Sequence, residues 1–143
     1  MILLDTDHVS VLQHNDGEPF QRLNDRLRAV AAGEVLATSV VTFEEQTRAW
    51  LAAISKERLS RRQVAPYRRL ARLADFYADF EIVEFSELAA DQFDELRRLL
   101  PRVGRMDLKI AAIALVRAAL VLTANVSDFG QVPNLRTANW LVP

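Results

Sequence analysis

The sequence predicts an α/β domain in which a central parallel sheet of about five strands is flanked by helices, with residues 1–143 forming one domain. Two observations carry that class. Short apolar runs, of the kind buried on both faces of a parallel sheet, alternate with longer stretches whose apolar residues recur at the helical period. Strands separated by helices are joined by right-handed crossovers and so lie parallel. A third observation sets the domain count: no repeat, low-complexity tract or Gly/Ser linker interrupts the 143 residues, half of which are hydrophobic. A chain of this size removes about two thirds of its surface from water on folding and needs no cross-link to hold it together.

In chain order, Ile2-Leu3-Leu4 is the first strand, ending abruptly at Asp5. Pro19 to Val30 places Phe20, Leu23, Leu27 and Val30 on one helical face. Val35 to Thr38 reads as the second strand and Thr42 to Ile54 as the helix that follows it. Ser60 to Tyr77 is helical in pattern, but Pro66 removes an N–H donor and predicts a kink or a fresh start. Ile82-Val83 is a third strand. Ser86 then suits the N-cap of a helix to Leu100, with Leu88, Phe93, Leu96 and Leu99 or Leu100 expected inside. Met106 to Arg117 is apolar nearly all round, which predicts a helix within the fold; Leu120 to Thr123 and Leu135 to Thr137 supply the last strands.

Composition narrows the chemistry. The absence of cysteine excludes a disulfide scaffold, thiol catalysis and a thiolate-ligated zinc site, and fits a reducing compartment. Met1 to Val9 carries acids where a secretory leader needs bases, and no apolar run approaches the roughly 20 residues that span a bilayer. The expectation is a cytoplasmic protein with no membrane partner. The formal charge of −1 conceals an asymmetry: Arg48 to Arg72 holds eight basic residues and the single acid Glu57, whereas Asp75 to Glu95 holds eight acids and no base. Two solvated helix faces of opposite sign account for this, and so does an anion-binding stripe.

In a parallel sheet the carboxyl ends of the strands and the starts of the helices share one edge, where ligands bind. Asp5, Glu45, Asp107 and Asp128 all fall at such positions. Singly they are ordinary: Asp5 and Asp107 suit helix caps, Asp128 suits the turn Val126 to Gly130, and Glu45 has Glu44 beside it. His8 and His14 show no metal-ligand spacing and suit surface or core roles. Together, converging carboxylates repel one another and stay ionised only against a cation. Oxygen donors without cysteine favour Mg²⁺ or Mn²⁺ over zinc, and such an ion binds phosphate oxygens and activates water. Phosphodiester hydrolysis is the reaction this suggests.

Leu3-Leu4-Asp5-Thr6-Asp7, Ser39 to Glu45, Asp107 to Ala112 and Leu122 to Phe129, in that order and spacing, resemble the PIN domain, and in particular the VapC-type toxins of bacterial toxin-antitoxin pairs. The ending, Val132 to Arg136 and Asn139-Trp140, is similar too, so the likeness covers nearly the whole chain. The resemblance implies a Mg²⁺- or Mn²⁺-dependent endoribonuclease that cuts cellular RNA, is neutralised by a cognate antitoxin protein, and forms a homodimer or a dimer of toxin-antitoxin heterodimers. It carries the metal-binding catalytic acids onto Asp5, Glu45, Asp107 and Asp128. Thr123 and Asn125 match the polar residues that accompany the last acid, while Thr6 and Ser39 or Thr42 are candidate supporting donors. Asp7 stands where many relatives have Asn, as an extra or water-mediated ligand, and Ala124 replaces what is often a polar residue.

Two other readings compete. Asp5-Thr6-Asp7-His8-Val9 after a strand also resembles the nucleophile motif of haloacid-dehalogenase-type phosphatases, with Asp5 as nucleophile, although the late paired acids of that family are missing. A PIN-like module that binds RNA or a partner without turnover is the third. For any RNA partner, Arg102 and Arg105, just before Asp107, are the expected backbone contacts; Arg61, Arg68 and Arg72, at spacings of seven and four, are a second candidate set.

Overall fold

The structure is a computed structural model and describes residues 1–143. Its five strands are all parallel. β1 (Ile2–Leu4) is central, flanked by β2 (Leu36–Ser39) and β4 (Leu120–Leu122), with β3 (Glu81–Val83) and β5 (Arg136–Ala138) at the edges, giving the order β3-β2-β1-β4-β5. Leu3 is in register with Ala37 on one side and Val121 on the other. All three residues of β1 are buried, as a strand covered on both faces requires, whereas the edge strands expose Glu81, Ile82 and Arg136.

The helices are α1 (Thr6–His14), α2 (Gly17–Arg28), α3 (Val40–Lys56), α4 (Ser60–Ala78), α5 (Glu87–Leu99), α6 (Arg105–Val116) and the single turn α7 (Val126–Phe129). They cover the sheet in two hydrophobic layers. Leu3, Ala37 and Val121 face Phe93 and Leu96 of α5 and the fully buried Ile110 to Ala112 of α6. Ile2, Leu4 and Leu122 face Val9 of α1, Leu23 of α2 and Leu73 and Tyr77 of α4. Successive β1 residues therefore enter opposite layers, following the two-residue period of a strand. The expected interior helix is α6: Leu108 and Ile110 to Ala114 are all buried.

Four details depart from the expectations. α1 was foreshadowed only as something Asp5 might cap, because its apolar face is short; it is a full helix. α4 runs unbroken through Pro66. The proline sits in the second turn, and the carbonyl it leaves without a helical donor belongs to Arg62, an exposed residue open to solvent. On α5 the inward stripe is Ala89, Phe93 and Leu96, followed by half-buried Leu100, so Leu88 and Leu99 lie outside at 67% and 57% exposure. β2 and β5 each begin one residue later than expected.

Candidate active site

The carboxyl edge of the sheet gathers the acids. Asp5 leaves β1 as the N-cap of α1, its Oδ1 accepting the Thr6 N–H at 2.7 Å. Its Oδ2 accepts the Thr123 hydroxyl, at the end of β4, at 2.8 Å. One carboxylate thus serves both the cap and the site. Asp107 does not cap α6, contrary to that alternative; the N-cap is Gly104, and Asp107 stands in the first turn with its carboxylate free for other partners. Asn125 supplies them. Its amide donates to Asp107 at 3.0 Å and to Asp128 at 3.1 Å, bridging two like charges. Glu45, in the second turn of α3, accepts the Thr6 hydroxyl at 3.2 Å, while Glu44 pairs with Arg48 on the exposed side.

Electrostatics marks this edge as short of positive charge. Burial, then repulsion from Asp7 and more weakly from Asp107, pushes Asp5 up to about 6 against the hydrogen bonds from Thr123 and Thr6. Burial followed by the Asp128 charge raises Asp107 as well. Glu45 is raised by burial and by Asp107, opposed by Thr6 and Arg48. No lysine or arginine forms an ion pair with Asp5, Glu45, Asp107 or Asp128. No three carboxylate or imidazole groups close around one point either; the acids line an edge and are linked in pairs by hydroxyls and an amide. An all-oxygen donor set with uncompensated charge fits a hard divalent ion that keeps much of its own water.

The remaining candidates divide. Thr6, Thr123 and Asn125 contact the acids directly. Ser39 and Thr42 do not: Ser39 caps α3 by accepting the Thr42 N–H at 3.0 Å and donates to the Thr42 hydroxyl at 3.3 Å, so both serve the helix start. Asp7 lies beside the acids, within 3.5 Å of the Thr123 hydroxyl, and also accepts the Ala124 N–H at 2.7 Å and meets the His8 ring at 2.5 Å. Burial favours its neutral form, but those hydrogen bonds outweigh burial and hold it below the usual carboxylate range. Arg102 and Arg105 are exposed beside the start of α6 and pair with no acid. Arg68 faces a patch with Val64 and Tyr67, whereas Arg72 turns toward Trp50, so the expected three-arginine face is split.

Of the two roles open to it in the sequence, His8 takes the core one. It is fully buried, its Nδ1 facing Asp7 and its Nε2 accepting the Trp140 N–H at 3.2 Å. An acceptor at Nε2 places the proton on Nδ1, so the ring donates to Asp7. This ties the C-terminal segment to the loop after β4.

This edge, with acids from the cap of α1 and from α3, α6 and α7 in a parallel α/β sandwich, belongs to a protein of the PIN domain class: the family model for the PIN domain matches residues 2–135, and the chain is a member of that family. The match removes the phosphatase reading. Among curated proteins, ribonuclease VapC2 of Rickettsia felis is 34% identical over 74 residues, covering 49% of this chain and 55% of that protein. The tRNA(fMet)-specific endonuclease VapC of Salmonella typhimurium is 31% identical over 83 residues, covering 55% and 63%. These alignments span less than two thirds of either relative. The VapBC2 structure from Rickettsia felis, bound to a DNA fragment of its promoter, superimposes with a TM-score of 0.75 at 26% identity, covering 98% of this chain and 99% of that one. VapBC-1 from nontypeable Haemophilus influenzae gives 0.77 at 21%, covering 99% and 100%, and supports the fold.

Proposed function

We propose that this chain is a Mg²⁺- or Mn²⁺-dependent endoribonuclease, acting as the toxin of a toxin-antitoxin pair and restrained by a cognate antitoxin protein. The observation that carries this is the joint placement of Asp5, Glu45, Asp107 and Asp128 at one sheet edge without a basic partner, in a PIN-domain chain whose matched relatives are named as ribonucleases. Asp5, Glu45, Asp107 and Asp128 are the residues that would hold the ion and its water. When bound, the ion supplies a positive centre for a phosphate oxygen and acidifies a water. The chain's own groups do the rest. Thr123 and the Thr6 N–H fix both Asp5 oxygens, Asn125 keeps Asp107 and Asp128 from turning apart, and Thr6 holds Glu45 toward them. Their hydrogen bonds favour the ionised carboxylates, which is the form that binds a cation.

The likeness to a VapBC complex supports an antitoxin partner, and assembly as a homodimer or a dimer of toxin-antitoxin heterodimers is proposed with it. No helix is long and apolar enough to cross a membrane, which agrees with a cytoplasmic site of action. Incubating the purified chain with total RNA in Mg²⁺, Mn²⁺ or EDTA tests the reading. Internal cleavage with either ion and none in EDTA is expected; intact RNA under every condition would favour a binding module.

A further inference from the structure

We propose that the groove between α3 and α4 is a binding track for single-stranded RNA that continues from the acidic edge, with Trp50 as a base-stacking platform and Arg69 and Arg72 as phosphate contacts. This rests on the nuclease reading and adds where the strand lies. Two adjoining cavities form the groove. One, of about 350 Å³, is lined by Gln13, Trp50, Arg69 and Arg72; the next, of about 240 Å³, shares Trp50 and Arg69 and adds Lys56 and Arg62.

Charge and shape agree. Lys56, Arg62, Arg69 and Arg72 have no acidic partner, whereas Arg22, Arg48, Arg98 and Arg117 are paired at the surface; the groove's one acid is Glu57. The Arg69 guanidinium lies 5.4 Å from the centre of the half-buried Trp50 ring, an aromatic and cationic pairing suited to a base beside a phosphate. Four cations beside one aromatic ring suit a polymer that carries a charge and a base on each unit, which favours RNA; an acidic protein segment that displaces it is an outcome of the test.

Position supplies the link to the chemistry. Gln13 on the groove wall is hydrogen-bonded at 3.0 Å to Gln46, the residue after Glu45. At 1.5 Å per residue, Trp50 lies about 7.5 Å and Lys56 about 16 Å beyond Glu45 along the α3 axis. These spacings make the track a few nucleotides long, with its near end within two helical turns of Glu45.

The test is a titration of the full chain in EDTA with a short single-stranded oligoribonucleotide, repeated across salt, with cleavage in Mg²⁺ followed in parallel. Arg69→Ala with Arg72→Ala should weaken binding at least tenfold and flatten the log–log salt slope by about 1.4, at roughly 0.7 per phosphate contact on a single strand. Trp50→Ala should weaken binding roughly five- to 150-fold with little change of slope, and Trp50→Phe should restore most of it. Circular dichroism checks that each variant folds. If the wild type binds and cuts RNA while these variants match it in affinity and slope, the track is refuted and the nuclease reading stands, with the groove left to an acidic protein segment. If the wild type neither binds nor cuts RNA, the nuclease reading fails and the track with it.

Discussion

Replacing Asp5 by asparagine should stabilise the metal-free protein at neutral pH, and the structure gives the size of the effect. Asp5 is 6% exposed and its carboxyl is pushed from 3.8 to about 6, chiefly by burial. An acid whose folded value exceeds its unfolded value is carried at a cost once ionised. That cost is absent below about pH 4, grows between about 4 and 6, and is complete above 6. At 1.36 kcal/mol per pKa unit it reaches about 3 kcal/mol. Asparagine keeps the cap through Oδ1, and its amide can donate to the Thr123 hydroxyl, whose own proton then turns to Asp7 Oδ2 at 3.5 Å. The geometry therefore survives and the buried charge does not. Urea unfolding in EDTA, from pH 4 to 8, is the assay. Asp5→Asn should equal the wild type near pH 4 and exceed it by about 2–3 kcal/mol at pH 7.5. A variant less stable than the wild type at pH 7.5, or a difference that does not change with pH, would refute the reasoning.

Four further outcomes are expected. Glu45→Gln should abolish RNA cleavage, whereas Glu44→Gln should leave it intact and lose less than about 0.5 kcal/mol in thermal unfolding, because the Glu44–Arg48 pair is exposed. Asn125→Ala removes the amide that lowers Asp107, so the acidic limb of the pH–rate profile should move to higher pH and the maximal rate should fall. Neutralising Arg102 and Arg105 should weaken RNA binding more at low salt than at high salt; an unchanged salt slope in filter binding would remove both from the RNA path. Leu96→Ala should cost about 2–5 kcal/mol in denaturant unfolding and Leu88→Ala less than about 0.5, since the first is buried and the second is 67% exposed.

The parallel sheet and the acidic edge were legible because both follow from local pattern: apolar runs ending at Asp5 or just before Thr123, and acids at the strand-to-helix junctions. Asp5 shows why single-residue alternatives misled. Capping and site duty looked like rivals, yet a carboxylate has two oxygens and uses one for each. Phe93 and Leu96 of α5 and its C-cap Leu100 lie inward as expected, and Leu88 alone was misplaced, for a different reason. Leu88 looked like a core residue by type, but its neighbour Ala89 is the buried one, in the same core layer as Ala111 and Ala112 of α6, and which residue faces a neighbouring helix is a property of the pair. His8 was opaque because its partner Trp140 is 132 residues away in the chain, and only the fold joins them. Asp7 reads as an additional ligand in the sequence; its bonds to His8 and Ala124 show that it also holds the loop after β4. The division of the α4 arginines likewise depends on how α4 packs on α3, which the spacing of charges along one helix does not encode.

The central claim is that the carboxylates at the sheet edge form a metal-dependent RNA-cleaving centre, and the most direct measurement compares single-turnover RNA cleavage by the wild type, Asp5→Asn and Asp107→Asn in saturating Mg²⁺ or Mn²⁺. Each substitution should lower the rate on the order of a hundredfold or more, with the folded state retained by circular dichroism. Undiminished cleavage by either folded variant would place the chemistry elsewhere on the chain.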